Sequence, residues 1–269
     1  MFNNSGIASL MFNSIHPIPA FLDNYIWAIT NQQNTELAVV DPGDPAPVIQ
    51  YAEQHGLTLS HILITHHHKD HTGGLPELQR YSQPRVIGPC STQIQGITEP
   101  VADADTFELF GVELTVIEVP GHTLDHIAFA AVNCLKPLVF CGDTLFAGGC
   151  GRVFEGHPQM MSESLNKLSS LDGRTEVYCT HEYTLANLAF ATAADPCNEK
   201  LLARLTVEQK KRELGRPTLP STIQLERETN PFLRCENAEI IQVLRQRSAT
   251  SLETPAGVFG ALRSWKDNF

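Results

Sequence analysis

Apolar residues in this chain come in short runs, and several runs end in polar residues of the kind that bind ions. Asn24 to Thr30 (NYIWAIT) and Glu36 to Val40 (ELAVV) predict two strands across the polar turn Asn31 to Thr35. Asp41-Pro42-Gly43-Asp44 then breaks the run. Val48 to His55 predicts a helix closed by Gly56. Ser60 to Thr65 is apolar without alternation, the mark of a buried strand. A short helix is expected over Leu75 to Tyr81 and a short strand over Arg85 to Gly88.

Thr106 to Pro120 predicts a hairpin, FELF and VELTVIEV across Gly111. Three similar units follow. Glu118-Val119 leads to Pro120-Gly121-His122, Leu138 to Phe140 leads to Gly142-Asp143, and Val177-Tyr178 leads to Thr180-His181-Glu182. Strands that deliver polar residues at their ends, on loops held by a rigid sheet, commonly build functional sites. Met160 to Leu171 has helical spacing (161, 165, 168), which makes the class α/β.

Beyond Tyr183 the texture changes. Leu185 to Ala194, Glu199 to Leu214, Ala238 to Arg247 and Ala256 to Lys266 predict helices, with a Pro-containing loop over Arg216 to Ser221 and no strand-like alternation. The expected organisation is a loose extension over 1–10, a larger α/β domain over 11–183 and a small all-helical domain over 184–269.

Composition narrows this picture. At roughly 150 residues per domain, 269 residues suit one large domain plus a small one. No window approaches the ~18 uninterrupted apolar residues of a membrane span, and Met1 to Leu10 lacks the basic start of a secretory signal. A net charge of −11 argues against nucleic acid as a partner. The 7 cysteines form no C-x-x-C pair, so a disulfide framework or cysteine zinc site is not expected, and a reducing cytoplasmic setting is.

The densest chemistry lies in Thr65-His66-His67-His68-Lys69-Asp70-His71, directly after an apolar run. In an extended segment side chains alternate, so His66, His68 and Asp70 share a face while His67 and Lys69 point away. His71 joins them if the chain bends after Asp70, at Thr72-Gly73-Gly74. Four such groups in so short a stretch cannot easily wrap one ion, and two adjacent divalent ions are expected. The strand ends supply the missing ligands. One ion would take His66, His68, His122 and Asp143, and the other Asp70, His71, His181 and Asp143, with the Asp143 carboxylate bridging. Zinc is favoured, and iron or manganese also suits such mixed ligands.

His66-x-His68-x-Asp70-His71, with Gly121-His122-Thr123, Gly142-Asp143-Thr144-Leu145-Phe146 and His181-Glu182-Tyr183, resembles the metallo-β-lactamase superfamily. Within it, the chain is most similar to glyoxalase II, the hydroxyacylglutathione hydrolases, from about Ile18 onward. The resemblance implies an αββα metallo-β-lactamase sandwich with a dinuclear site at one edge. It also implies a small C-terminal helical domain that binds substrate. The implied reaction is hydrolysis of S-D-lactoylglutathione to glutathione and D-lactate, the second step of methylglyoxal detoxification. Asp41 matches an aspartate that supports the site. Arg152, Tyr183, Arg263 and Lys266 match residues that contact glutathione, and Phe154 stands where some members carry a tyrosine.

The expected mechanism is attack on the thioester by a water that two cations bring to a pKa near 7, with Asp70 and Asp143 as the catalytic carboxylates. The leaving thiol has a pKa near 8.5, so no strong general acid is needed. No Gly-x-Ser-x-Gly elbow is present. The alternative is a mononuclear iron oxygenase of the persulfide dioxygenase type, acting on glutathione persulfide. A monomer is expected, with a small-molecule glutathione thioester as its partner and neither membrane nor nucleic acid.

Overall fold

The computed structural model describes residues 11–247 and 252–269, so the expected extension over 1–10 lies outside the described residues. The chain gathers into two compact units. The first runs to Ile117 and takes in Ile127–Phe140, and the second comprises Glu118–His126 and Cys141–Phe269.

In the first unit, β1 (Ser14–Ala20), β2 (Asn24–Thr30) and β3 (Glu36–Val40) form an antiparallel meander. After α1 (Pro45–His55), β4 (Thr58–Leu63) pairs parallel to β3. After α2 (Lys69–Thr72) and α3 (Leu75–Ser82), β5 (Arg85–Pro89) and β6 (Glu99–Val101) continue the parallel half. The sheet order is thus β1-β2-β3-β4-β5-β6. The hairpin β7 (Thr106–Leu109) and β8 (Val112–Glu118) begins a second sheet, joined by β9 (Ile127–Ala131) and β10 (Leu138–Gly142) in the order β10-β9-β8-β7. Phe110 and Gly111 both have positive φ (52° and 82°), the turn geometry that matches the twist of paired strands.

α1 and α3 lie on one face of the first sheet. Val48, Ala52, Leu75 and Leu78 join Ile26, Leu37, Val39, Leu59 and Ile62 in one buried cluster. β2 and β9 are buried along their whole length, so both of their faces are covered.

The second unit carries the short hairpin β11 (Leu145–Phe146) and β12 (Gly149–Cys150), then α4 (Pro158–Ser169) and β13 (Glu176–Cys179). α5 (Thr184–Ala194) and α6 (Glu199–Glu213) pack together around Leu188, Ala191 and Leu201. β14 (Ser221–Thr222), α7 (Ile223–Thr229), α8 (Ala238–Arg245) and α9 (Pro255–Asp267) complete the chain.

Three differences from the sequence reading have physical causes. β1 contains Pro17 and Pro19, which are tolerated because β1 is an edge strand and needs no ladder donors on its outer side. The stretch expected to be wholly helical also supplies β14, two residues that pair with Glu176 and Val177. The turn after His68 comes earlier than expected, because α2 starts at Lys69 and carries both Asp70 and His71.

Glycines make that early turn possible. A Cβ on Gly43 would sit 1.9 Å from the Asp70 carbonyl oxygen, and one on Gly74 would sit 2.4 Å from the Pro42 carbonyl oxygen. The loop after β3 therefore lies directly on α2. Gly43→Ala is expected to destabilise the protein by about 1–3 kcal/mol, the usual cost of overpacking. An unchanged thermal unfolding midpoint would show that the loop yields freely.

Candidate metal centre

In the first unit the polar cluster sits at the carboxyl ends of the parallel strands β3 and β4, where open α/β sheets place ligands. Asp41 follows β3 with φ at +53° and is buried. Its Oδ1 accepts the Thr65 backbone N–H at 2.8 Å, and its Oδ2 accepts the Thr65 hydroxyl at 2.7 Å. The same Oδ2 lies 3.1 Å from His71 Nδ1. A carboxylate accepts here, so Nδ1 carries the proton and Nε2 carries the lone pair. That Nε2 lies 3.4 Å from Asp70 Oδ2, which also accepts from Asn24 Nδ2 at 3.2 Å.

His66 is fully buried, with Nδ1 3.0 Å from the Thr65 hydroxyl. Its Nε2 faces His68 Nδ1 at 3.1 Å, and its ring centroid is 4.1 Å from that of His71. Asp41, His66 and His71 offer donor atoms within 4.8 Å of one another. Lys69, which opens α2, is exposed, while His67 and His68 are both half-buried.

In the second unit, His122 follows β8, Asp143 follows β10 and His181 follows β13. Asp143 Oδ2 lies 3.5 Å from His122 Nε2 and 3.3 Å from His181 Nε2. His122 Nδ1 lies 2.8 Å from the Arg152 carbonyl oxygen, which can only accept, so this ring too turns a lone pair toward Asp143. Two ligands of one tetrahedral ion at about 2.0–2.1 Å stand roughly 3.3 Å apart. The spacings at His66–His68, His122–Asp143 and His181–Asp143 match that value, and the donor set of imidazoles and carboxylates suits divalent metal ions.

His126, which sequence reading passed over, is buried and holds the centre from behind. Its Nε2 accepts the Asp143 backbone N–H at 3.1 Å, so this nitrogen is not directed at an ion. Only its position four residues after His122 hinted at a shared role. Glu182 turns to the Thr218 backbone N–H at 2.9 Å, leaving its two sequence neighbours to form the site. The His181 and Tyr183 rings stack at 4.7 Å and 5° between planes, and Phe146 meets both edge-on. Phe154 is 62% exposed with its ring 5.2 Å from that of His122.

Two of the three basic residues named from sequence, Arg152 and Arg263, meet at Asp267, while the Lys266 ammonium lies 5.4 Å from the centre of the Phe190 ring. Arg263 is buried, donating through Nη1 to the Cys150 carbonyl oxygen (3.0 Å) and through Nη2 to Asp267 Oδ1 (2.9 Å). Arg152 is largely exposed, with Nε 3.8 Å from the same oxygen. Burial, followed by the Arg263 charge, brings the Lys266 ammonium down to a pKa of about 8.

Comparison with known proteins places this geometry in context. Residues 21–181 match the family model described as the metallo-beta-lactamase superfamily, and residues 182–269 match that of the hydroxyacylglutathione hydrolase C-terminus. A hydroxyacylglutathione hydrolase of Ectopseudomonas mendocina is 49% identical over 256 residues, covering 95% of this chain and 99% of its own. One of Nitrosomonas europaea is 48% identical over 258 residues, covering 95% and 96%. Among solved structures, ETHE1 from Myxococcus xanthus superposes with a TM-score of 0.64 at 21% identity, covering 94% of this chain and 98% of its own. The BLEG-1 B3 metallo-beta-lactamase gives 0.62 at 20% identity, covering 82% and 99%. The fold is thus the αββα metallo-β-lactamase fold with a helical C-terminal region.

Asp41→Ala would leave the Thr65 N–H, the Thr65 hydroxyl and His71 Nδ1 without their buried acceptor. An expected loss of about 1–3 kcal/mol would be read from urea unfolding. An unchanged midpoint would contradict the support assigned to Asp41.

Proposed function

The chain belongs to the hydroxyacylglutathione hydrolase family within the metallo-β-lactamase superfamily, and on that premise we infer that it hydrolyses S-D-lactoylglutathione to glutathione and D-lactate. Related S-2-hydroxyacylglutathiones are substrates of the same class. The reaction is the second step of methylglyoxal detoxification. The match over 182–269 carries this reading, because that family model is described by the hydrolase and not by the superfamily at large.

The reading assigns two ions, zinc in preference to iron or manganese. His66, His68, His122 and Asp143 would hold one, and Asp70, His71, His181 and Asp143 the other. Support comes from the ligand types at strand ends and from the donor spacings within each unit. Two divalent cations bound there would polarise the thioester carbonyl and bring a water to a pKa near 7.

The protein's own groups supply the rest. The Asp41 carboxylate and the Arg152 carbonyl fix the tautomers of His71 and His122, so each ring offers its Nε2 lone pair. Asn24 holds Asp70 Oδ2 in place, and His126 does the same for the Asp143 backbone. Residues 184–269 act as the substrate-binding domain. Lys266 and Arg152 supply positive charge to the glutathione carboxylates, Arg263 backs them from its buried position, and Tyr183 adds a ring and a hydroxyl. A monomer in the cytoplasm fits the family and the 7 free cysteines.

His66→Ala tests the assignment. Outer partners of metal ligands cost 10–100-fold when removed, so loss of a ligand should lower turnover of S-D-lactoylglutathione by roughly 100-fold or more, followed as thiol release. Wild-type rates would sink it.

A second test uses pH. The ammonium form of Lys266 binds the carboxylate, and it empties as pH rises through about 8. KM should climb above that pH while the substrate's carboxylates stay ionised throughout. Lys266→Ala should raise KM at pH 7 by roughly tenfold, the worth of a charged hydrogen bond, and flatten the alkaline rise. A flat KM in the wild type between pH 7 and 9.5 would exclude Lys266 as the contact.

A further inference from the structure

The turn between β11 and β12 is buried, although turns normally stay on the surface where water satisfies their backbone. Side chains do that work here. Asn230 Nδ2 donates to the carbonyl oxygens of Phe146 (3.2 Å) and Gly149 (2.8 Å). Asn187 Nδ2 donates to the carbonyl oxygen of Ala147 at 3.1 Å. Glu226 Oε2 accepts the Gly148 N–H at 2.8 Å and also orients Asn230, 3.0 Å away.

A buried carboxylate is costly unless it is paired and fully hydrogen-bonded. Glu226 is fully buried and meets both conditions. Its Oε1 receives Arg204 Nη2 at 2.6 Å and the Ser221 hydroxyl. Arg204 is anchored in turn to the Thr229 hydroxyl at 2.6 Å. Space is as tight as polarity. A Cβ on Gly148 would meet Leu188 at 2.8 Å, and one on Gly149 would meet Asn187 at 2.6 Å.

What this turn presents is Phe146. Its ring meets the His181 ring at 5.8 Å and the Tyr183 ring at 5.4 Å, edge-on in both cases. The stacked pair of an assigned metal ligand and an assigned substrate contact is therefore braced by one ring, and that ring is set by a turn that Glu226, Asn230 and Asn187 hold.

We propose that Glu226 is a positioning residue for glutathione recognition, acting through the 146–149 turn and the Phe146 ring on Tyr183 and His181. The helical segment thus shapes the site from behind as well as offering charges to substrate. The kinetic part of this rests on the function proposed above, and the structural part does not.

The test uses the full, metal-loaded chain as Glu226→Gln, Phe146→Leu and the double variant. Glu226→Gln keeps the shape and removes the charge that fixes Arg204 and Gly148. Phe146→Leu keeps an apolar side chain and removes the ring. Each single variant should raise KM for S-D-lactoylglutathione about fivefold through Tyr183, with a smaller fall in kcat through His181. The double variant should be no worse than Phe146→Leu, because both act along one chain of contacts. Multiplying effects, or a lower unfolding midpoint with KM unchanged, would overturn the proposal.

Ring NMR signals of Tyr183 and His181 give a readout independent of turnover. They should shift in Glu226→Gln while those of Tyr51, on α1, stay in place. Unmoved Tyr183 and His181 signals would also overturn it. Should Glu226→Gln not fold, Asn187→Ser loosens the same turn at Ala147 and is read by the same signals. A wild-type protein that leaves the thioester intact would sink the functional reading alone, with the NMR arm still deciding whether Glu226 positions Tyr183 and His181.

Discussion

The buried carboxylate of Asp41 is the constraint on which the polar cluster of the first unit depends. It ends β3, takes a left-handed backbone angle, and gathers the Thr65 N–H, the Thr65 hydroxyl and His71 on its two oxygens. Those contacts tie the end of β4 to α2. They also decide which nitrogen of His71 is available, since a carboxylate accepts a proton and cannot give one. The glycines at 43, 73 and 74 belong to the same device, because any side chain there would part the loop from the turn.

The cluster of the second unit is built differently, around a carboxylate that faces its imidazoles directly. Asp143 Oδ2 meets His122 Nε2 and His181 Nε2, while His126 grips the Asp143 backbone. Gly151 is needed here for the same reason as the glycines of the first unit. A Cβ at that position would lie 1.9 Å from the Asp143 carbonyl oxygen. In both units strand ends deliver the side chains, and carbonyls and carboxylates behind them settle tautomer and direction.

Much of this was legible in the sequence, for a physical reason. Few residue types hold divalent ions, and a buried strand followed at once by His-x-His-x-Asp-His leaves little other use for those side chains. The residues named at 66, 68, 70 and 71, and at 122, 143 and 181, do come together in their respective units. What stayed hidden lacked a local pattern. β1 was masked by Pro17 and Pro19, which argue against a strand except at an edge. α2 spans only 69–72, too short for helical periodicity to mark the bend before Asp70. His126 looked like any lone histidine. Glu226 and Arg204 sit on helices where charged residues usually face water, and only the tertiary structure shows them paired in the interior.

The most direct test couples two quantities on one sample: metal ions per chain by elemental analysis, and thiol release from S-D-lactoylglutathione. The account predicts turnover that rises to its maximum as the content approaches about two divalent ions per chain, the stoichiometry of a bridged pair. Full activity at a single ion, or oxygen uptake with glutathione persulfide in place of thioester cleavage, would contradict it.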